Sequence, residues 1–360
     1  MYNKKEKKNM DLYENSKYLE DLEYISNLKL PWEKLIGKTI LISGASGLIG
    51  SCLIDLIMKK NETGLDCKVY AIGRNEKKLN ERFSYCLNTG LFQSISHDIC
   101  MPLCIKNVDH VDYVLHLASN THPVQYAMDP IGTITTNIIG TNNMLTFAKD
   151  YNALRCVFAS SNEIYGENRG DIEKFDEHYC GYIDSNTMRA GYPESKRCGE
   201  ALCQAYIAQK HMDIVIARFT RSYGPTMKMD DTKAISQFIR KAISGENIVL
   251  KSLGMQFYSY TYVCDAVSGL LTILLEGECG EAYNISDSNS DIRLKDLATI
   301  IARYSNKKVV YEIPDKLEAS GYSKATKARI DGNKLASLGW KAHYNIEKGI
   351  ERTIDILKSR

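Results

Sequence analysis

Tyr192 and Lys196 have the residue types and the spacing that proton transfer requires. They stand four positions apart, and on a helix this spacing brings both side chains to one face. A phenol with its ordinary pKa of about 10 is a poor base at neutral pH, but a neighbouring positive charge favours the ionised form. Tyr192 is therefore a candidate to take a proton from a substrate hydroxyl. The spacing alone fits a surface pair without chemistry at least as well.

Three glycines spaced three positions apart, Gly44, Gly47 and Gly50, follow an apolar run at residues 39–42. This pattern is typical of a strand, a tight turn and the start of a helix. Glycine permits the turn and a close approach of the backbone to a pyrophosphate, and the helix N-terminus offers unpaired N–H groups to the anion. The motif predicts dinucleotide binding, although a loop without a ligand fits it equally well. A nicotinamide cation would also favour the phenolate of Tyr192, so the two motifs support each other.

A serine and the end of a strand bear on this candidate site. Ser161 follows the apolar run at residues 155–160, where its hydroxyl is placed to orient the same substrate oxygen as Tyr192. The second predicted strand, residues 67–73, ends in Gly73 and is followed by Arg74. At this place an NAD site usually has an Asp or Glu that binds the ribose 2′-hydroxyl. A guanidinium suits the 2′-phosphate of NADP. We expect NAD or NADP, with NADP favoured; adenine stacking or solvent exposure of Arg74 stays open.

The composition excludes several classes of function. The 46 basic and 44 acidic residues leave a net charge of +2, which predicts neither a nucleic-acid nor a membrane partner. The 11 cysteines are scattered, without a C-x-x-C pair, and fit neither a zinc site nor a disulfide framework. No apolar stretch is long enough for a membrane span, and the basic N-terminus lacks the apolar core of a signal peptide. We therefore expect a cytoplasmic protein with reduced thiols, no metal site and a small-molecule substrate.

Alternating strands and helices must position these residues. Apolar runs at residues 94–99, 113–118, 155–160 and 213–219 predict further strands, with helices at 131–149 and 191–209 between them. This alternation predicts an α/β fold with a Rossmann-type, doubly wound parallel sheet. Residues 1–36 are expected to form an N-terminal helical extension, 37–225 the dinucleotide-binding domain with the Tyr/Lys pair, and 226–360 a smaller, mixed substrate-binding lobe. The chain is expected to cross between the two lobes.

Together these motifs resemble the extended short-chain dehydrogenase/reductases that act on nucleotide-diphosphate sugars, the NAD-dependent epimerase/dehydratase family. The resemblance runs from about residue 38 to the C-terminus. Its further motifs are Asp98, His116-Leu117-Ala118, Asp129-Pro130, Asn137-Ile138-Ile139-Gly140-Thr141, Arg218, Tyr223-Gly224-Pro225, Tyr262-Val263, Asp265 and Tyr283-Asn284-Ile285. The segment after Pro225 is most similar to UDP-glucuronate decarboxylases, with Met227, Met229 and Asp230 in a similar pattern.

The resemblance implies a set of cofactor contacts and a homodimer. The residues expected at the dinucleotide are Gly44, Gly47, Leu48, Ile49, Gly50, Arg74, Asp98, Ala118, Asn137, Tyr192 and Lys196. It also implies a nucleotide-diphosphate sugar as substrate and a role in making precursors of surface polysaccharides.

Four further residues bear on the reaction. Family members oxidise C4 of the sugar, the ketone acidifies the C5 proton, and Glu163 takes the place of the carboxylate that assists the next step. Asn162 stands where dTDP-glucose 4,6-dehydratases have an acid for the leaving hydroxyl, and an amide has no such proton. Tyr258 replaces an Arg of the decarboxylases. Arg221 replaces the usual Asn, so a guanidinium is expected at the substrate diphosphate, with a structural salt bridge as the alternative.

The leading hypothesis is an enzyme that oxidises C4 of a nucleotide-diphosphate sugar with NAD(P) and then eliminates, decarboxylates or epimerises. Its predicted catalytic residues are Ser161, Glu163, Tyr192 and Lys196, and its predicted substrate contacts are Asn162, Arg221 and Tyr258. One alternative is an NADPH-dependent reductase of a nucleotide-linked 4-keto sugar, which Arg74 favours. A second is a non-catalytic nucleotide-binding protein of the same fold, against which the Ser, Tyr and Lys argue.

Overall fold

A computed structural model describes residues 11–106, 108, 110–121, 126, 128–312 and 326–359. Its main element is a sheet of seven parallel strands in the order β10-β6-β5-β4-β1-β2-β3. The strands of this sheet are β1 (Thr39–Ser43), β2 (Lys68–Gly73), β3 (Phe92–Ser96), β4 (Tyr113–His116), β5 (Arg155–Ser161), β6 (Ile214–Phe219) and β10 (Ala282–Ile285). The predicted Rossmann-type sheet is confirmed, and its strand order reverses between β1 and β4.

Helices cover both faces of this sheet. The helices of the described residues are α1 (Ser16–Ser26), α2 (Leu48–Asn61), α3 (Glu76–Arg82), α4 (Pro130–Asp150), α5 (Gly191–Lys210), α6 (Ala234–Ile243), α7 (Val263–Glu276), α8 (Leu294–Ser305), α9 (Asn333–Ser337) and α10 (Ile346–Lys358). Alternate strand residues enter different cores, as in β1, where Ile40 and Ile42 pack with α2 and α7 while Leu41 packs with α4 and α5. Because both faces are buried, the central strands β1, β4 and β6 are mostly apolar.

Smaller sheets follow the main sheet in the chain. Strand β9 (Phe257–Tyr262) pairs with β7 (Arg221–Tyr223), β11 (Asp291–Arg293) and β13 (Lys327–Ala328), and β8 (Ile248–Leu250) pairs with β12 (Val309–Tyr311). Strand β10 returns from this region to the edge of the main sheet beside β6. The chain therefore crosses between the two parts after residue 225.

The N-terminal extension forms α1, which packs on α2, α7 and α10. Its first ten residues lie outside the described residues. Tyr18 and Asp21 of α1 are fully buried. Among the described residues, no helix is long and apolar enough to cross a membrane, and no three or more His, Cys, Asp and Glu side chains are grouped as a metal site requires.

Candidate active site

The glycine turn between β1 and α2 packs so closely on neighbouring backbone that only residues without side chains fit there. Gly44 has φ +74°, and a Cβ there would lie 2.8 Å from the Leu117 carbonyl oxygen. A Cβ at Gly50 would lie 2.4 Å from the Gly44 carbonyl oxygen. Gly47 is the N-cap of α2, where no side chain bonds to the N–H groups of the first turn. A close backbone approach and an uncapped helix N-terminus fit the pyrophosphate of a dinucleotide.

The other predicted cofactor residues lie along the carboxyl edge of the sheet. Ala118, after β4, donates its N–H to Ser43 Oγ at 3.3 Å. Asn137 of α4 is fully buried; its Nδ2 donates to Ser195 Oγ at 2.9 Å, and its Oδ1 accepts from Ser119 Oγ at 2.7 Å. These bonds join α4 to the first turns of α5.

Four predicted cofactor residues lie at the start of α2 or beyond the outer strands. Leu48 and Ile49 are half-buried at the N-terminus of α2, whereas Arg74 and Asp98 are exposed on the loops after β2 and β3. Asp98 Oδ1 accepts the Cys100 N–H at 3.0 Å. Within the described part of the chain, the Arg74 guanidinium has no hydrogen bond or ion pair.

His116, at the end of β4, is a buried neutral residue whose hydrogen bonds link β4 to β1 and α4. Its Nδ1 lies 2.8 Å from Ser43 Oγ, and its Nε2 lies 3.1 Å from Thr141 Oγ1. Burial, together with the positive charge of Lys196, lowers the pKa of His116 to about 3. Because Thr141 donates its hydroxyl to the Asn137 carbonyl oxygen, we assign the ring proton to Nε2. The sequence motif contains His116 but gives it no role.

Tyr192, in the first turn of α5, is buried beside Ser161 and Tyr126. Its ring stacks on Tyr126 with centroids 4.7 Å apart. Burial and the negative charge of Glu163 raise the pKa of Tyr192, while the neighbouring Ser161 hydroxyl opposes this rise. The phenol is therefore protonated at neutral pH in this structure.

Lys196, one turn further along α5, is buried and bonded to the main chain. Its Nζ donates to the Ala159 carbonyl oxygen at 2.8 Å and lies 4.9 Å from the centroid of the Phe158 ring. Burial lowers the pKa of the Lys196 ammonium to about 7. Burial therefore opposes the predicted effect of a lysine charge on the pKa of Tyr192, and that effect stays a prediction.

Glu163 lies in the short 3₁₀ turn after β5, and its carboxylate pairs with Arg189. The Ser161 Oγ accepts the Glu163 N–H at 3.2 Å. Arg189 Nη2 lies 2.8 Å from Glu163 Oε2, and its guanidinium lies over the Tyr126 ring at 5.0 Å. Sequence reasoning missed Arg189 and Tyr126, although Arg189 stands only three positions before Tyr192.

The three predicted substrate residues, Asn162, Arg221 and Tyr258, lie together, and the Arg221 guanidinium contacts the other two. The Arg221 guanidinium stacks on the Tyr258 ring, 3.6 Å from its centroid. In the amide orientation that satisfies both ends, Asn162 Oδ1 accepts from Arg221 Nη1 at 3.0 Å and Nδ2 donates to the Phe219 carbonyl oxygen at 3.3 Å. Burial raises the pKa of Tyr258, while the Arg221 charge opposes this rise. Among the described residues, Arg221 has no carboxylate partner, so the predicted structural salt bridge is not found.

Comparison with known proteins identifies the family of this chain. Residues 40–286 match the model of the NAD dependent epimerase/dehydratase family. The chain is 33% identical over 319 residues to UDP-glucuronic acid decarboxylase 3 of Arabidopsis thaliana, covering 86% of each protein. It is 31% identical over 340 residues to UDP-glucuronic acid decarboxylase 1 of Danio rerio, covering 93% of this chain and 77% of the relative.

A solved structure extends the comparison to the fold. UDP-glucuronic acid 4-epimerase from Bacillus cereus, in complex with UDP-glucuronic acid and NAD, aligns with a TM-score of 0.75 and 23% identity. The alignment covers 89% of this chain and 99% of that one. The family model and the two curated relatives show that this chain belongs to the NAD dependent epimerase/dehydratase family, a family of extended short-chain dehydrogenase/reductase enzymes.

Proposed function

We propose that this enzyme oxidises C4 of a nucleotide-diphosphate uronic acid and then decarboxylates it. The observation that carries the oxidation step is the buried phenol of Tyr192, which lies beside the Ser161 hydroxyl at the carboxyl edge of the sheet. The curated relatives above, both UDP-glucuronic acid decarboxylases, support the choice of decarboxylation. Asn162 supports it as well, because elimination of a hydroxyl needs an acid at this place.

The position of each site residue indicates its role in the reaction. Bound NAD would lie along the glycine turn, Ala118 and Asn137, and would supply the hydride acceptor for C4 and later return the hydride. Tyr192 takes the proton of the C4 hydroxyl, and Ser161 holds the same oxygen. Because burial raises the pKa of Tyr192, its phenolate needs a nearby positive charge, which Lys196 contributes in its protonated form.

The oxidised sugar is a β-keto acid, in which the carboxylate on C5 is lost as CO₂. The electron pair of the broken bond passes to the C4 oxygen as an enolate, and a proton taken from solvent is then added to C5 in place of the lost CO₂. Glu163 is the candidate to exchange this proton, because it lies one residue from Asn162 and two from Ser161 on the same turn.

Product analysis tests this proposal. We expect purified protein to convert UDP-glucuronate to a UDP-pentose, seen by mass spectrometry as the loss of CO₂. Tyr192→Phe should abolish this conversion while it retains the dinucleotide, because the variant keeps the ring and loses the hydroxyl. Conversion of UDP-, dTDP-, GDP- or CDP-linked neutral sugars instead of the uronate would contradict decarboxylation. Full activity of Tyr192→Phe would contradict the oxidation step.

We also propose that Arg74 favours NADP over NAD. It is exposed on the loop after β2, where a 2′-phosphate would meet a guanidinium and no carboxylate. Because this contact is exposed, we expect Arg74→Ala to weaken NADP binding about tenfold and to leave NAD binding unchanged. Titration of both dinucleotides measures this difference. Equal NADP affinities of the two proteins would contradict the role of Arg74.

Further proposals concern the oligomeric state, the compartment and the domain division of the enzyme. We propose a cytoplasmic homodimer, with the domain division at residues 225 and 226 that the sequence predicts. All 11 cysteines are free thiols, which is typical of a reducing compartment. An apolar patch on α4 and the turns beside it supports association of two copies. The patch consists of the exposed side chains of Met128, Ile131, Ile134, Ile139 and Met188.

A further inference from the structure

The candidate site holds two guanidinium groups and one carboxylate. Arg189 is paired with Glu163, whereas Arg221 has no carboxylate partner among the residues that the structure describes. Arg221 is only half-exposed. A partly buried cation without a counter-charge is costly, and an anionic ligand that binds beside it removes that cost.

Two contacts hold the Arg221 guanidinium in place. One face stacks on the Tyr258 ring at 3.6 Å, and Nη1 donates to Asn162 Oδ1 at 3.0 Å. The strands beneath are in register, since Arg221 of β7 is opposite Tyr260 of β9, two positions from Tyr258. These contacts use one face and one N–H of a group with five donors. The guanidinium is therefore pre-organised for two parallel bonds to a planar oxyanion.

We propose that Arg221, stacked on Tyr258, binds an oxyanion of the substrate, and that this oxyanion is the sugar carboxylate. The second part rests on the function proposed above. Asn162, which accepts a bond from Arg221, lies between Ser161 and Glu163, so the guanidinium lies at the reacting end of the site. The substrate diphosphate is the other oxyanion that suits a guanidinium.

The charges of the site favour the carboxylate. A uronate that enters beside Glu163 brings a second carboxylate close to the first, and like charges at this distance repel. Arg189 already neutralises Glu163, so Arg221 is the remaining cation of this cluster for the second carboxylate. The cluster would then hold two guanidinium groups and two carboxylates, with no net charge.

Equilibrium binding of three ligands tests the proposal. Titration calorimetry with UDP, UDP-glucose and UDP-glucuronate is carried out on wild type, Arg221→Lys and Arg221→Met. We expect Arg221→Met to bind UDP-glucuronate about 10- to 100-fold more weakly, the range for loss of one charged hydrogen-bonding group. Binding of UDP and UDP-glucose should change less than about threefold, within the spread of surface substitutions. Arg221→Lys should be intermediate, because it keeps the charge but loses the planar fork.

The other outcomes are distinct. An equal loss for all three ligands would assign Arg221 to the diphosphate and overturn the carboxylate assignment. Unchanged affinity for all three would overturn the proposal entirely. Thermal unfolding and dinucleotide content of each variant verify folding. If wild type binds UDP-glucuronate through Arg221 but releases no CO₂, decarboxylation fails while the Arg221 proposal stands.

Discussion

Glu163 and Arg189 form an ion pair that is open enough to exchange for substrate. Their side chains are 27% and 44% exposed, respectively. Exposed ion pairs contribute only about 0 to 1 kcal/mol, so the carboxylate is able to leave Arg189 at little cost. Arg189 also lies over Tyr126, which stacks on Tyr192, so one chain of contacts joins Glu163 to the phenol of Tyr192.

Glu163→Gln should stall the reaction after the oxidation of C4. The amide keeps the size of the side chain but cannot exchange the C5 proton, and general acid–base assistance is worth about 10² to 10⁴ in rate. Single-turnover absorbance should show the reduced dinucleotide accumulating together with a 4-keto sugar. Glu167→Gln, on the exposed stretch that follows the same turn, is the matched control and should turn over like wild type. Wild-type turnover of Glu163→Gln would exclude a proton-transfer role and favour reduction of a keto sugar or C4 epimerisation.

Lys196 should make the free energy of unfolding rise with pH between pH 7 and pH 9. Burial lowers its pKa to about 7, whereas in the unfolded chain the ordinary value of about 10.5 applies. Between these values the unfolded state binds one more proton, so the free energy of unfolding should rise with pH. The contribution of Lys196 should grow by about 2 kcal/mol from pH 7 to pH 9.

Urea unfolding of wild type and Lys196→Met at pH 7, 8 and 9 measures this contribution. The difference between the two proteins isolates Lys196 from the thiols and phenols that titrate in the same range. We expect the free energy of unfolding of wild type to rise relative to that of the variant at each step. A difference that is constant with pH would contradict the lowered pKa.

At the residue scale, sequence reasoning succeeded where spacing and backbone context were sufficient. Helical periodicity predicted that Tyr192 and Lys196 share one face of a helix, and α5 bears this out. The raised pKa of Tyr192 depends on burial, which spacing does not measure. The stacking of Arg221 on Tyr258 joins β7 to β9, strands whose pairing was not predicted. Such contacts follow from tertiary packing and leave no local pattern in the sequence.

At the scale of elements, α1 joins the main sheet region to the C-terminal region through buried carboxylates. Tyr18 of α1 donates its hydroxyl to Asp55 of α2 at 2.7 Å. Asp21, on the same helix, accepts from the hydroxyls of Tyr262 and Tyr344, each at 2.6 Å, and pairs with Arg352 of α10. The helix is therefore held by polar contacts on both sides in addition to its apolar residues.

Asp21→Ala should destabilise the protein by about 3 kcal/mol, because it leaves the largely buried Arg352 without this partner and two buried hydroxyls without an acceptor. Glu20→Ala is the matched control on the next position of α1. Its carboxylate also pairs with Arg352 but is 63% exposed, so we expect a loss below about 0.5 kcal/mol. Urea unfolding monitored by circular dichroism compares the two variants. Equal losses would show that α1 is held by its apolar residues alone.

Helix α7 shows which elements the sequence analysis missed. The sequence analysis predicted α1, α4 and α5, in which polar residues are interspersed with the buried apolar ones. Helix α7, Val263–Glu276, is buried on nearly all sides between the main sheet, α1 and α2. A helix that is apolar all round has no polar face to set the period, so its sequence resembles that of a buried strand.

At the scale of the molecule, the apolar patch on α4 lies beside elements of the candidate active site. Met128 and Ile131 are 77% and 75% exposed, and Met188 precedes Arg189 in the turn before α5. A Cβ on Gly191 would lie 3.1 Å from Ile134 Cδ1, so the patch also contacts the first residue of α5. A second subunit on this patch would therefore cover the turn that holds Arg189 and the start of the helix that carries Tyr192.

Ile131→Glu should dissociate the proposed homodimer, because it places a charge at the centre of an apolar interface. We expect the dimer dissociation constant to rise about 100-fold, the range for a central interface residue. Analytical ultracentrifugation over a dilution series measures this constant. Leu154→Glu, which is 50% exposed after the C-terminal end of α4, is the control and should leave it unchanged. Since the patch adjoins Arg189 and Tyr192, the specific activity of wild type should fall on dilution in parallel with dissociation. A wild type that sediments as a monomer at every concentration, with constant specific activity, would exclude both the homodimer and this coupling.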